Sequence, residues 1–427
     1  MRLVFSGSNS RIKICLLIAL SSYGHSVYSQ SVNLNDLGLK GLYEMAWNRQ
    51  PESKSYQYRM DAALAKQRTA SSFIASPPSL QVSQKTDRLN SNLGDSEFVA
   101  GLGIPLWLWN ERSSSQGLAD AESKKLISQY YLTRLKLAAS VRESYWGFHK
   151  ARIELELANS RYENAKVLAV DVDKRFRVGD LSRADAHQAA GALAGAEVQL
   201  AESRANLINA EQKIKTLLGV GFQFSPARFG DLSKALESTP NLPSNLSIMQ
   251  FDSPVVQAFM DQLEVARQAV NLAKSQSRAS PQLQIRTSRS RDQLASPYQQ
   301  SVTFGVVVPF GSSSRYENRL ATATAEMVEA ETQLIFERER MLSHIESASS
   351  LVMTSQMKLD AAKRRSTLAT ETRQFFDKAF RFGETDLPTR LRVELEATEA
   401  NRQAALAQIN FGVAVSNLRQ ALGLLPE

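Results

Sequence analysis

A long seam of apolar residues is the clearest pattern in the chain. From residue 141 to residue 176, apolar side chains recur at steps that nearly all alternate between four and three, which is the a/d repeat of a coiled coil. The seam consists of Val141, Tyr145, Phe148, Ala151, Leu155, Ala158, Tyr162, Ala165, Ala169, Val172 and Phe176. It resumes at Leu193, Ala196, Leu200, Leu207, Ala210, Ile214 and Leu217, with Ser203 interrupting it. The pattern predicts a long helix and a return helix packed against it.

The predicted helices form two hairpins. The first long helix is expected over about 113–177, with a return helix over about 181–218. The second long helix is expected over about 314–381, with a return helix over about 386–422. Neither long segment contains proline, and at 1.5 Å per residue each helix would be roughly 100 Å long. Such a helix must pack along its partner or along neighbouring subunits, because a compact globule cannot bury it.

Two other regions, about 79–106 and 282–310, contain segments in which every second residue is apolar. Examples are Phe98, Ala100, Leu102, Ile104 and Leu106 in the first region, and Val302, Phe304, Val306, Val308 and Phe310 in the second. Gly101, Gly103, Thr303 and Gly305 lie between them, and this alternation of apolar with small or polar residues is typical of transmembrane β-barrel strands. Trp107 and Trp109 follow where such a strand would leave the membrane, a position favoured for an aromatic girdle. Two soluble hairpins with one wet face are the alternative interpretation.

The chain is an internal duplication with an offset of about 204 residues. The Arg-Val-Gly-Asp of residues 177–180 corresponds to the Arg-Phe-Gly-Glu of residues 381–384, and residues 101–105 correspond to 305–309. We therefore predict two structural repeats, 30–230 and 231–427, each with a helix, two strands, a long helix, a glycine turn and a return helix.

Four strands are too few to close a barrel, and an open sheet edge is not viable in lipid. If the strands span a membrane, several chains must contribute to one barrel. The predicted fold class is therefore α plus transmembrane β, with duplicated coiled-coil hairpins and a barrel that is shared between subunits.

The first 29 residues are predicted to be a secretory signal peptide. Arg2, Arg11 and Lys13 supply positive charge beside a short apolar core at residues 14–20, which is too short to span a bilayer. The only cysteine, Cys15, lies in this segment. The net charge of +8 comes from lysines and arginines scattered among acidic residues, so no nucleic-acid partner is predicted.

The sequence carries no constellation that indicates catalysis. It has no GxxxxGK[ST] phosphate loop, no HExxH and no paired cysteines, and the histidines stand apart from one another, at positions 25, 149, 187 and 344. We therefore predict no enzymatic activity, no cofactor and no protein metal site.

The duplicated hairpins, the four alternating strands, the Val178-Gly179 and Phe382-Gly383 turns and the Leu218-Gly219 end of the first repeat resemble the TolC family of outer-membrane efflux channels. The resemblance covers essentially the whole chain after the signal. It implies a homotrimer with a twelve-stranded barrel in outer-membrane lipid and a helical tunnel that crosses the periplasm. It also implies an inner-membrane pump and a periplasmic adaptor (membrane fusion) protein that docks at the two tips. These tips consist of Val178, Gly179, Asp180 and Leu181 in the first repeat, and Phe382, Gly383, Glu384 and Thr385 in the second.

The same resemblance points to a channel constriction in the return helices. The first position carries a carboxylate, Asp185, as the family pattern does, but Thr389 and Arg392 stand where acidic residues are expected. A mouth held by the familiar acidic–basic links is therefore not expected. Asp185 could pair with Arg390 or Arg392, or could be a solvent-exposed helix carboxylate.

Three functions remain open on sequence grounds. The leading one is the outer-membrane channel of a tripartite efflux system. The compact loops and the Gly-Asp-Leu-Ser-Arg-Ala-Asp tip at residues 179–185 are most similar to the heavy-metal cation efflux branch. The second is the duct of a type I secretion or drug efflux system. The third, from another class, is a periplasmic adaptor or structural coiled-coil protein.

Overall fold

The computed structural model describes residues 38–89, 92–219, 236–241, 253–311 and 313–427. The predicted signal peptide and the boundary between the two repeats lie outside these ranges. Within them the first repeat contains helices α1 (Leu39–Arg49), α2 (Pro51–Ala70), α3 (Glu111–Arg177) and α4 (Arg183–Leu218). The second repeat contains α5 (Pro254–Ser275), α6 (Ser313–Arg381) and α7 (Leu387–Ala421). The two long helices, α3 and α6, have 67 and 69 residues, which confirms the predicted duplicated hairpins.

Each repeat contributes one β-hairpin to a single four-stranded sheet. The strands are β1 (Ser79–Thr86), β2 (Ser96–Pro105), β3 (Gln282–Arg291) and β4 (Gln299–Val307), in the order β1-β2-β3-β4. Every neighbouring pair is antiparallel, and β2 pairs with β3 across the two repeats. The four strands per chain are therefore as predicted.

The first repeat begins with two helices, where the sequence pattern predicted one. The chain bends at Gln50, which has an extended backbone with φ −63° and ψ 139°. The next residue, Pro51, is the first residue of α2. Proline disfavours helical geometry in the residue before it but suits the first turn of a new helix, so one helix is divided into two.

The core follows the helices, and the described residues form four buried clusters. About midway along α3, helices α1, α3 and α4 enclose one cluster that includes Leu42, Tyr145, Phe148 and Ile214. A second cluster lies between α5, α6 and the end of α7, a small third one joins α5 to α6, and a fourth joins the tips of both hairpins. The two hairpins are therefore held together at their tips.

The predicted coiled-coil seam is correct over its first half and drifts toward the tip. Val141, Tyr145 and Phe148 are at most 1% exposed. Nearer the tip, Val172 is still buried, but Phe176 is 37% exposed and Leu168, outside the seam, is buried. An α-helix has 3.6 residues per turn, so a strict 3.5-residue seam rotates away from a straight partner helix over several heptads.

Candidate functional site

The cross-strand register gathers the apolar residues of all four strands on one face of the sheet. Paired residues point to the same side of an antiparallel sheet, so the register defines rows across it. Three rows are almost wholly apolar, and they consist of Ile104–Leu283–Val306, Leu80–Leu102–Ile285–Phe304 and Val82–Ala100–Thr287–Val302. Several members are strongly exposed within the chain, including Leu80 at 75% and Phe304 at 73%. We call this surface the apolar face.

The opposite face is glycine-rich and polar. Its rows are Ser79–Gly103–Gln284–Gly305, Gln81–Gly101–Arg286–Thr303 and Ser83–Val99–Ser288–Ser301. The side chains at Gly101, Gly103 and Gly305 are single hydrogens, so this surface has less bulk than the apolar face. The sheet therefore has one side suited to lipid and one suited to water.

Exposed aromatic residues lie where the sheet meets the long helices. Trp109 is 89% exposed, Phe310 is 95% exposed and Phe73 is 87% exposed. Trp107 is partly buried, and its Nε1 donates a hydrogen bond to the Ser72 carbonyl at 3.1 Å. Of the two tryptophans predicted for a girdle, Trp109 is exposed and can contact the surroundings of the chain. Trp107 is partly buried by its contact with Ser72.

The first hairpin tip is a glycine turn. Gly179 has φ +83°, a backbone geometry that a side chain disfavours. Its N–H donates to the Phe176 carbonyl at 3.0 Å, and the Asp180 N–H donates to the Arg175 carbonyl at 2.9 Å. This is the hydrogen-bond pattern of a Schellman helix end. Val178, beside the glycine, is 81% exposed.

The second tip repeats this geometry. Gly383 has φ +76° and donates to the Phe380 carbonyl at 3.1 Å, while Glu384 donates to the Ala379 carbonyl at 2.9 Å. Phe382 is 81% exposed, the same fraction as Val178. Each tip therefore presents one large apolar side chain to solvent beside a turn that requires glycine.

Both return helices begin with a side-chain cap. Ser182 and Asp185 form a capping box, in which the Asp185 N–H donates to Ser182 Oγ at 3.1 Å and the Ser182 N–H donates to Asp185 Oδ2 at 3.0 Å. Asp386 caps α7 and accepts from the Thr389 N–H at 3.3 Å. The hydrogen bond from Thr389 lowers the pKa of Asp386, and the charge of Arg392 adds to this effect.

The three residues predicted at a constriction lie within the first three turns of the return helices. Within the chain, Asp185 is held by Ser182, with the Ser182 hydroxyl donating at 2.7 Å, rather than by Arg390 or Arg392. Arg390 instead donates to Asp377 at 2.5 Å and lies over the Phe380 ring at 4.7 Å. Arg392 is exposed. The chain thus leaves Arg392 available to a neighbouring surface and engages Asp185 in a cap.

A groove of about 440 Å³ between the hairpins was not predicted from the sequence. Arg373 and Glu394 form an ion pair at its wall at 3.3 Å, and Asp377 binds both Arg381 and Arg390 there. Asp377 and Arg381 are four residues apart on one helix, a spacing at which an ion pair can be predicted from sequence. The ion pairs that join α6 to α7 depend on how the two helices are rotated against each other, so the sequence does not indicate them.

The described ranges contain no group of three or more histidine, cysteine, aspartate or glutamate side chains placed to hold a metal ion. None of the helices described is both long and apolar enough to cross a membrane.

Residues 42–220 match the family model described as Outer membrane efflux protein. A relative, the cobalt-zinc-cadmium resistance protein CzcC of Cupriavidus metallidurans, is 28% identical over 284 residues, which cover 66% of this chain and 65% of the relative. The match therefore spans slightly less than two thirds of that protein's length.

Solved structures of outer-membrane channels have the same fold. CusC superposes with a TM-score of 0.75 at 18% identity, covering 91% of this chain and 92% of CusC. The Campylobacter jejuni CmeC outer membrane channel gives 0.71 at 16% identity, covering 92% of this chain and 87% of CmeC. The open Neisseria gonorrhoeae MtrE channel gives 0.73 at 15% identity, covering 90% and 89%.

Proposed function

Because residues 42–220 match the outer membrane efflux protein family, we propose that three copies of the chain form the outer-membrane channel of a tripartite efflux system. Each copy supplies four strands to one twelve-stranded barrel in the cell outer membrane. The helical hairpins extend into the periplasm as a tunnel. The channel is a passive path, so it needs no catalytic group and no cofactor.

The in-register apolar face carries this proposal. Its three apolar rows cross β2, β3 and β4, and two of them also cross β1. The strands β1 and β4 are the unpaired edges of the sheet. In lipid such edges must be paired, and a neighbouring copy supplies the complementary strand. Pairing β4 of one copy with β1 of the next continues the apolar face around a closed barrel and leaves the glycine-rich face inside.

Purification from the outer-membrane fraction and native mass measurement test this arrangement. We expect a heat-sensitive trimer that dissociates to monomers on boiling. A stable monomer with a closed barrel would contradict the shared-barrel proposal. Recovery of the protein from the periplasmic fraction without detergent would favour the adaptor alternative.

We further propose that the two tips dock a periplasmic adaptor protein, which connects the channel to an inner-membrane pump. Val178 and Phe382 support this, since each exposes a large apolar side chain at the end of the hairpin farthest from the sheet. The docking surface comprises residues 178–181 and 382–385. Asp185, Thr389 and Arg392 then line the constriction behind it.

Divalent metal cations are the proposed cargo, on the basis of the cobalt-zinc-cadmium resistance relative. Deleting the chain from its host and restoring it from a plasmid tests this directly. We expect the deletion to reduce growth in cobalt, zinc or cadmium, and the restored chain to recover it. Unchanged metal tolerance with increased sensitivity to a hydrophobic drug would favour the drug efflux alternative.

A further inference from the structure

Two arginines on β3 extend the apolar face toward the hairpin turns. Arg289 lies in the row Gln84–Phe98–Arg289–Gln300, directly beyond the third apolar row. Arg291 lies two residues further along, opposite Ser96. Both side chains therefore project from the same face as Leu283 and Ile285, at the end of the sheet that is remote from the long helices.

Tyr298 and a backbone carbonyl hold these guanidinium groups in place. The Arg289 and Arg291 guanidinium carbons lie 4.5 Å and 4.9 Å from the centroid of the Tyr298 ring. Arg291 Nε also donates to the Gly94 carbonyl at 3.1 Å. Two cations stacked on one ring are fixed close together, although they repel one another.

Neither arginine is in a salt bridge within the ranges that the structure describes. The acidic residues of this end of β2 are directed elsewhere: Asp95 pairs with Lys85 at 2.8 Å, and Glu97 lies in a row of the opposite face with Lys85 and Ser290. The sheet thus places two positive charges that lack a salt bridge directly beyond the three apolar rows of this face.

We propose that Arg289 and Arg291 bind a phosphate group on the headgroup of a lipid in the outer leaflet. The proposal rests on the proposed function, which turns the apolar face toward lipid. Acyl chains then cover the three apolar rows, and the next row reaches the level of the headgroups. A charged side chain is costly within hydrocarbon, whereas a guanidinium at the headgroup boundary binds phosphate oxygens with two parallel hydrogen bonds.

A lipid fits this site better than a soluble anion because the arginines continue a surface that already requires acyl chains. One molecule with acyl chains and a phosphate would contact both parts. The flanking side chains Gln84 and Gln300 share the row of Arg289 and can donate further hydrogen bonds to a headgroup.

Binding of diphosphoryl lipid A to the purified trimer in mixed micelles tests the proposal. The variants are Arg289→Gln, Arg291→Gln and the double variant. A basic side chain near an anionic surface contributes about 1 kcal/mol, so affinity should fall about fivefold for each single variant and about thirtyfold for the double variant. The same lipid with both phosphates removed should bind wild type and the double variant alike.

Arg286→Gln is the matched control, because Arg286 lies on the same strand but in a row of the opposite face. It should leave the affinity unchanged. Equal affinity of wild type and the double variant, or an equal loss in Arg286→Gln, would overturn the proposal. Displacement of the lipid by millimolar inorganic phosphate at constant ionic strength would assign the site to free phosphate and overturn it as well.

Two measurements distinguish a failure of this inference from a failure of the proposed function. Every variant is first tested for formation of the heat-sensitive trimer. If the double glutamine variant does not assemble, the double variant Arg289→Lys, Arg291→Lys replaces it, because lysine retains the positive charge. The lysine pair should bind more weakly than wild type, because it lacks the planar double donor, and affinity equal to wild type would overturn the proposed bidentate site. If the trimer reaches the outer membrane but binds lipid A equally well with and without its phosphates, only this inference is refuted. A chain that never reaches the outer membrane refutes the proposed function.

Discussion

Glu237 and Arg142 form a bidentate ion pair in the interior of the protein. Arg142 Nε donates to Glu237 Oε2 at 3.1 Å, and Nη2 donates to Oε1 at 2.7 Å, with side-chain exposures of 3% and 1%. Ser416 also donates to Glu237, and Arg419 lies 3.3 Å from it. These contacts connect α3, the segment 236–241 and the end of α7.

Glu237→Gln should destabilise the protein strongly. The substitution keeps the shape of the side chain but leaves Arg142 buried without a counter-charge, which typically costs about 3–5 kcal/mol. Arg419 keeps a counter-charge in Glu427, at 2.6 Å. Urea unfolding in detergent measures the free energy. Glu399→Gln is the control, because Glu399 pairs with Arg402 at 2.8 Å on an exposed surface and should cost less than about 1 kcal/mol. Equal effects of the two variants would show that the buried pair has no special structural role.

Gly412→Ala should weaken the packing of α7 on α3. A Cβ atom at Gly412 would overlap Cη2 of Trp146, whose Nε1 donates to Ser416 Oγ at 2.8 Å. The ring must move, and a crowded core typically loses about 1–3 kcal/mol. Gly147→Ala is the contrasting control, because no atom lies within 4 Å of its Cβ position, and alanine should stabilise that helix by up to about 1 kcal/mol. A neutral Gly412→Ala would contradict the close approach.

His149 should make stability sensitive to acid. It is fully buried near the rings of Tyr145 and Trp146, and desolvation lowers its pKa to about 4, with a further contribution from Arg152. The unfolded chain therefore binds the proton first, so the stabilising contribution is complete above about pH 6.5 and is lost as the pH falls toward 4. Unfolding free energies between pH 7 and pH 4 measure this loss. His149→Leu should remove that part of the pH dependence, and an identical pH profile in the variant would refute it.

Periodicity was sufficient to predict the hairpins and strands because both are regular over many residues. The four-three seam around Tyr145 and the alternation around Leu102 each specify which face of an element is buried or shared. The Ser182 and Asp185 spacing is also a readable capping signature. These features depend only on local sequence.

The remaining features depend on contacts between distant segments. Glu237 lies outside any periodic segment, so nothing in the sequence indicates its contact with Arg142. The pairing of Arg289 with the row of Phe98 depends on the register between the repeats, which the duplication alone does not give. Asp185 was predicted at a constriction, and in the structure it forms with Ser182 the capping box that their spacing indicates.

Gly179→Val and Gly383→Val should impair efflux while leaving the trimer in the outer membrane. Both glycines have positive φ, which costs a residue with a Cβ about 1–2 kcal/mol and a β-branched residue more. The strained turn would displace Val178 or Phe382 from the proposed docking surface. Adaptor cross-linking and metal tolerance are the measurements.

Asparagine tolerates positive φ, so Gly179→Asn should retain more cross-linking than Gly179→Val. Gly191→Ala is a control on α4, since Gly191 has no positive φ and no atom within 4 Å of its Cβ position. Unchanged cross-linking and export in both valine variants would show that the tips are not the docking surface.

Arg392→Asp should change the conductance and ion preference of the channel. Arg392 is exposed on the second return helix, and three copies would bring three positive charges toward one axis. At partly screened sites their repulsion is on the order of a kcal/mol for each close pair. Either Asp185 or Glu394 of the assembly neutralises these charges, or the mouth is wider at rest. Glu394 is already 3.3 Å from Arg373, and Asp185 is held by Ser182, so the chain favours the wider mouth.

Reversing the charge at Arg392 should therefore increase the preference for cations in planar bilayers, most strongly at low salt, where screening is weakest. Arg402→Asp makes the same charge change further along α7, away from the tip, and should have little effect. Equal conductance and selectivity of wild type and Arg392→Asp across a range of salt would show that Arg392 does not line the constriction.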